Sequence, residues 1–452
     1  MKLADAFAVR RGDVVSFVGA GGKTSTLLAL GKELADAGWR VLATTTTRLA
    51  ADQLNLFPEA LPADVPRASL VRALDEKRFI CLYHDIEQGK ALGIPPELVS
   101  QFLDDADADV MLVEADGARG LHFKAPRLHE PVIPAETTLA VPTVSIGVLG
   151  QPLNEAHVMG AGLIHDAFGF PLDEPVKSPW VAQVLRDPAF GLKGVPPGAR
   201  VVGWVNQVPP TGYMLGRARM IASLMLRQPR ISAAAFGSAQ APNPVHEARS
   251  RVGAVILAAG MSTRMQGEMK VLLPWQGQRT ILEHLIQRLY DAKVDDVVVV
   301  TGHRAPEVKA AAERMGARVT HNPRYASGEM LSSLQAGLSA LGAGVSAAMV
   351  VLGDQPRLNP PILRQVMETY FGGSALIVAP SYQHRRGHPI LIDRRLWPEL
   401  LALPDGSAPR DVINRHADQT AYVVTTDDGV VNDVDTPQAY REERRRAGLG
   451  DG

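Results

Sequence analysis

Two short stretches of this chain place glycines and cations directly after an apolar run. The first is "VSFVGAGGKTSTL" from Val15, where Gly19, Gly21 and Gly22 precede Lys23 and Thr24. Glycines let successive backbone N–H groups turn onto an anion. The positive end of a following helix points at the same place. Lys23 would then reach terminal phosphates, and Thr24 would sit where a hydroxyl holds Mg²⁺. A full phosphate loop has a glycine five places before Gly22, and here that position is Phe17, so the loop is a shortened form. The plainer reading is a tight strand-to-helix turn with a solvated lysine. Further on, "VMLVEADGARG" ends a buried run with Glu114 and Asp116. Residues two apart on an extended strand share a face, and acids at the carboxyl end of a parallel strand lie where ligands bind. The pair can hold a metal or its water, or simply form a polar turn. The run Thr44–Thr47 with Arg48 reads as an anion lip or as β-propensity filling a strand.

The second stretch is "GAVILAAGMSTRMQGEMKVLLP" from Gly253. Ala258, Ala259 and Gly260 are small, so a nucleotide can lie against the backbone, with Arg264 and Lys270 bracketing its phosphates. Nucleotidyl transfer needs positive charge where the leaving group becomes negative, and an arginine fork and a lysine point charge supply it. "MVVLGDQP" ends an apolar run in Gly353, Asp354 and Pro356, and "VVNDVDTPQAY" adds Asp435, with Asp433 close by. Two carboxylates plus substrate phosphates are the usual way to hold Mg²⁺. Asp435-Thr436-Pro437 is equally a good helix start, and the two roles are compatible.

Both stretches need strands that end where the loops begin. Strands are expected over Val14–Val18, "RVLATTTT", "ADVMLVEADGARG" and "ARVVGWVNQV", with helices over Ser25–Ala37 and Leu215–Leu226. The rhythm restarts with strands at Ala254–Leu257, Asp296–Val300, Ala347–Leu352, Ala375–Ala379 and Ala421–Val424. Alternating strands and helices predict an α/β fold with mostly parallel sheets. The aperiodic stretch around "FGSAQAPNPVHEARSRVG" reads as a linker, giving domains over 1–240 and 251–452 joined by 241–250. Segment Phe57–Arg72 reads as a surface insertion. A length of 452 residues exceeds one ordinary core and suggests two or three domains. The net charge of −1 argues against nucleic acid as a partner. One cysteine, Cys81, excludes an intrachain disulfide and a thiolate metal cage. No apolar run long enough to span a bilayer and no signal-peptide core are present, so a cytoplasmic chain with no membrane association is expected.

With these residues in place, "FVGAGGKTSTL", "VLATTTTR", "EADGARGLHFKAPRLHEPVIP" and "GLKGVPPGARVVGWVNQV" are similar to the YqeC-type family over most of residues 10–230. That family is described as an accessory protein of selenium-dependent molybdenum hydroxylases. One departure is "AHVMGAGL", which keeps His157 but lacks the arginine and acid of the family's segment. "VILAAGMSTRM", "VVLGDQP", "RRGHPILI" and "VNDVDTPQAY" resemble the MobA-type nucleotidyltransferases over about 252–445, and among them molybdenum cofactor cytidylyltransferase of the MocA type. Here "RMQGEMK" carries one residue more than the family's pattern between Arg264 and Lys270, and "PDGSAPRDV" places Pro409 before Arg410.

The resemblance implies an N-terminal P-loop-like parallel-sheet domain and a C-terminal Rossmann-like nucleotidyltransferase domain. It implies that Leu257–Gly260, Gly353, Asn322, Gly328 and Ser333 shape the nucleotide site. Arg386, Gly387, His388 and Pro389 would line the nucleotide and pterin site. Arg264, Lys270 and Asp354 would be the catalytic groups, with Asp354 and Asp435 as metal ligands. "LAAG" rather than "LAGG" resembles the CTP-using branch. Mg²⁺, CTP as co-substrate and a second NTP on the N-terminal domain follow. So do a molybdopterin-type cofactor as substrate and a molybdenum hydroxylase apoenzyme as partner. A sugar- or alditol-phosphate transferase remains the alternative on the same fold, and a nucleotide-gated chaperone remains one for the N-terminal half.

Overall fold

The computed structural model describes residues 1–450 apart from Gln266, Asp295, Gly328 and Ala343. Gly328, which the resemblance places at the nucleotide site, therefore lies outside the described residues. The chain divides into two compact units, Met1–Arg249 and Ser250–Gly452.

The first unit is built on a parallel sheet. Its strands are β1 (Asp13–Gly19), β2 (Val41–Thr45), β3 (Ala60–Pro62), β4 (Phe79–Tyr83), β5 (Val110–Glu114), β6 (Leu139–Ser145), β7 (Arg200–Asn206) and β8 (Ala233–Gly237). They lie in the order β8-β7-β6-β1-β5-β2-β4-β3, with every pairing parallel. Both faces of the sheet are covered, as a parallel sheet requires. On β1, Val15 and Phe17 enter one core cluster while Val14 and Val18 enter the other. Helix α1 (Lys23–Asp36) follows β1 and buries Leu27, Leu30 and Leu34 on one stripe. Its first turn is anchored from the sheet, where the buried Trp204 donates its indole N–H to Thr26 Oγ1 at 3.0 Å.

The second unit begins in β9 (Val245–Ala258), of which Ser250–Ala258 belongs to it. The parallel strands β10 (Asp296–Thr301), β11 (Arg318–His321) and β12 (Val345–Leu352) give the order β11-β10-β9-β12. The order continues with β14 (Ile390–Asp393), β13 (Ile377–Tyr382) and β15 (Thr420–Val424), and β14 runs antiparallel to both neighbours. Alternate residues of β9 again serve two cores, Ala254, Ile256 and Ala258 on one face and Val255 on the other.

Several sequence expectations change. The stretch expected as a linker, 241–250, is strand from Val245 onward. Its buried positions include Glu247, held by Arg219 at 2.7 Å and by Arg249 at 3.0 Å, so a polar composition concealed an inward-facing pattern. The Phe57–Arg72 insertion instead supplies the edge strand β3 and the start of a helix, Arg67–Lys77. Strand β6, in the interior of the first sheet between β7 and β1, has no counterpart among the expected strands. Its Pro142 weakens a strand reading, and burial of every residue from Leu139 to Ser145 removes the alternation that would reveal it.

Candidate active sites

In the first unit the ends of five strands converge at the carboxyl edge of the sheet. Glu114 is level with Phe17 of β1 and Thr45 of β2, while Ser145 is level with Asn206 of β7. The Gly19–Thr24 loop crosses this edge. Gly22 has φ +103°, and a Cβ there would meet the Asn206 amide nitrogen at 2.4 Å, so both conformation and space require glycine. Asn206 Nδ2 donates to the Gly21 carbonyl at 3.1 Å, and its Oδ1 accepts from Gln207 and Ala239 N–H. This side chain ties the loop to the sheet.

The structure brings Lys23, Thr24, Glu114 and Asp116 together. Lys23 is buried, with Nζ 3.0 Å from Asp116, 3.6 Å from Glu114 and donating to the Gly19 carbonyl at 2.7 Å. Burial opposes its charge, but Asp116 and Glu114 outweigh burial and hold the ammonium above its ordinary pKa. Thr24 donates its hydroxyl to Glu114 at 2.7 Å, and Gly19 N–H donates to Asp116 at 2.9 Å. Two further residues complete the cluster. Lys124, also buried, lies 3.2 Å from Asp116 and 2.8 Å from Glu130 and donates to the Gly117 carbonyl. Burial pushes the Glu130 carboxyl up, but Lys124 outweighs it and holds it below the usual range. Neither residue was assigned from sequence, because a lysine six residues before a glutamate looks like any surface pair until both are buried. The hydroxyls of Thr44, Thr45 and Thr46, one reading of which was an anion lip, donate instead to the carbonyls of Leu82, Glu114 and Val132.

In the second unit Leu257 is level with both Val300 and Leu352, so Ala258–Gly260 and Gly353–Asp354 leave the sheet side by side. Gly353 N–H donates to the Leu257 carbonyl at 3.1 Å, and a Cβ on Gly353 would strike that carbonyl. Lys270 Nζ bridges Asp354 and Asp435 at 2.8 Å each, and Arg264 reaches Asp435 at 3.1 Å. The added residue in the loop thus does not keep Lys270 from the two acids. Met265 and Met269 are buried on either side of Gly267, and Ser262 Oγ accepts the Lys270 N–H at 3.1 Å. Asp435 is brought in by the backbone, since Val434 N–H donates to the Asp354 carbonyl at 2.8 Å. Thr436 then caps helix α2 (Pro437–Arg446) through the Ala439 N–H.

The electrostatics follow this geometry. Burial opposes the Lys270 charge, but Asp354 and then Asp435 outweigh it and raise its pKa. The hydrogen bond from Lys270 lowers that of Asp435. Asp433 is pushed up by burial and by its two acidic neighbours, while Gln355 donates to it at 2.7 Å. Among the described residues no cluster of three or more His, Cys, Asp or Glu is poised around one metal position. The pair Asp354 and Asp435 fits Mg²⁺, which takes one or two carboxylates and completes its shell with water and phosphate.

His388 follows Arg386 and Gly387 after the β13 hairpin. Burial is the main reason its pKa is pushed down to about 4, with Arg386 adding to the shift and Asp354 opposing it. Its imidazole is therefore neutral near pH 7. Asn322 and Ser333 are also brought together, with Asn322 Nδ2 donating to Ser332 and Ser333 at 2.8 and 3.0 Å, but both are buried. Asp405 of the late "PDGSAPRDV" segment pairs with Arg324 at 2.6 Å, and Pro409 opens the helix Pro409–Arg415.

Known proteins match both units. Residues 15–161 match the YqeC protein family and residues 254–420 the MobA-like NTP transferase domain. An uncharacterized protein YqeC of Escherichia coli K12 is 32% identical over 49% of this chain and 86% of its own length. Nicotine blue oxidoreductase of Paenarthrobacter nicotinovorans is 32% identical over 42% of this chain and 95% of its own. A nucleotidyl transferase from Methanothermobacter thermautotroptrophicus is 26% identical over 43% of this chain and 97% of its own, with a TM-score of 0.39. The chain thus belongs to the YqeC family through its first unit and is, through its second, a nucleotidyltransferase of the MobA-like family.

Proposed function

We propose that the second unit transfers a cytidylyl group from CTP to the terminal phosphate of a molybdopterin-type cofactor and releases pyrophosphate. The observation that carries this reading is the bridge of Lys270 across Asp354 and Asp435, with Arg264 on the same carboxylate. A lysine ammonium stands where a divalent cation would lie between the strand-end Asp354 and Asp435 of the loop before α2. Asp354 and Asp435 would hold Mg²⁺, which when bound supplies charge compensation on the triphosphate. Lys270 and Arg264, given up by the acids, turn onto the β- and γ-phosphates and stabilise the departing pyrophosphate. The backbone of Leu257–Gly260 orients the nucleotide, with Asn322 and Ser333 fixing the adjoining wall. Neutral His388 offers a hydrogen bond to the pterin side beside Arg386 and Gly387. No side-chain nucleophile is required, because the substrate phosphate is itself an anion that attacks the α-phosphorus in line.

The first unit binds a second NTP through Gly19, Gly21, Gly22, Lys23 and Thr24, with Glu114 and Asp116 behind them. It serves the maturation of a molybdenum hydroxylase, as a turning-over enzyme or as a nucleotide-gated chaperone. Pyrophosphate release measured with each NTP in turn, with and without molybdenum-loaded pterin, tests the main reading. CTP with the pterin should give the signal, and turnover with sugar phosphates alone would overturn it. A relative named nicotine blue oxidoreductase favours one second reading, a redox reaction by the second unit on such a dye. A change in the absorbance of nicotine blue with an added reductant, lost in Lys270→Met and without pyrophosphate release, would support that reading instead.

A further inference from the structure

Asp116 is shared by two buried lysines, and the two are held differently. Lys23, after the loop, touches Asp116 Oδ1, while Lys124 touches Oδ2 and is braced by Glu130 and the Gly117 carbonyl. Among the described residues Oδ1 is buried and accepts no well-formed hydrogen bond, and the ion pair with Lys23 compensates it. A cavity of about 20 Å³, bounded by Gly19, Asp116 and Lys124, lies against the carboxylate and has room for about one water. The loop is thus occupied by its own acids. Lys23 and the Gly19 N–H are on Asp116, and the Thr24 hydroxyl is on Glu114. A phosphate can use Lys23 only if Lys23 leaves Asp116, and a buried carboxylate that loses its cation is strongly destabilised.

We infer that Lys124 is the positioning residue that makes Lys23 exchangeable: it stays on Asp116 as the standing counter-charge when Lys23 turns to the phosphates of a metal-bound nucleoside triphosphate. This assignment rests on the nucleotide reading of the first unit. It also separates the two acids. Asp116, 2% exposed and held at both oxygens, anchors the loop, whereas Glu114, 12% exposed and carrying only Thr24 and the longer Lys23 contact, is the carboxylate free to face a cation.

The test uses the full chain, titrated with Mg-ATP, Mg-GTP and Mg-CTP. The first-unit signal is defined as the binding that Lys23→Ala removes. Lys124→Met should weaken that binding by about tenfold or more, and Lys124→Arg should retain it. Lys124 compensates Asp116 and Glu130, so with Glu130→Gln in both backgrounds Asp116→Asn and Asp116→Asn/Lys124→Met should bind equally well. A purely structural lysine would not be rescued in this way. Wild-type affinity in Lys124→Met, or a further loss when Lys124→Met is added to Asp116→Asn/Glu130→Gln, would overturn the inference. The latter comparison also decides the matter if Lys124→Met fails to fold. If no Lys23-sensitive binding of any NTP is seen in the wild-type chain, the nucleotide reading itself fails.

Discussion

Each unit holds a lysine between two acids, but the acids arrive by different routes: in the first both come from the end of β5, whereas in the second Asp354 follows β12 and Asp435 lies in the loop before helix α2. In the first unit Lys23 is 2% exposed and its acids sit beside a second buried lysine. In the second, Lys270 is 18% exposed, Asp435 is 43% exposed, and the further cation is Arg264 at the surface. An ion pair in a low-dielectric interior is costly to break from one side, whereas an exposed pair contributes little to stability. The first lysine is therefore part of the fold as well as of the site. The second is the more exposed and the less costly to separate from its acids.

The largest expected effect probes the second site. Asp354→Asn should lower pyrophosphate release by roughly 10²–10³-fold with little change in melting temperature. A melting loss as large as the activity loss would show that the site is structural after all.

The comparison itself is tested by pairing Lys23→Met with Lys270→Met in thermal unfolding. The first should destabilise its unit by about 3 kcal/mol and the second by about 1 kcal/mol or less. Equal losses would remove the distinction between the two units. Alkaline melting sharpens it. Both lysine pKa values are raised above 10.5, so the stability each pair adds is complete below that pH and is lost as pH rises through the folded value.

Acid should affect the second unit through His284 and His388, each pushed from 6.5 to about 4 mainly by burial. The unfolded chain binds these protons first, so stability is full above pH 6.5 and falls as pH drops toward 4. Melting curves from pH 7.5 to 4.5 should show this slope, with His284→Gln flattening part of it, and an unchanged slope would clear His284. The smallest effect is the cap: Thr436→Ala should cost about 1 kcal/mol and blunt turnover slightly by loosening Asp435.

Much of both sites was legible because glycine, lysine and strand-end acids are constrained by local chemistry. "GAGGKT" could be read because only glycine fits beside Asn206, and "GDQP" because Gly353 passes under the Leu257 carbonyl. Lys124 and Glu130 were not legible. Their significance comes from burial, and burial of a charged residue carries no local signature. The same holds for Glu247, which made a strand look like a linker.

The sequence by itself determined the α/β class, the two loops and the acids that answer them, because periodicity and residue type act over a few positions. Only the tertiary structure decided which cations those acids hold. Loops that close over the end of the sheet bring together residues that lie far apart along the chain, such as Lys270 and Asp435. Burial then sets how costly such a pair is to separate.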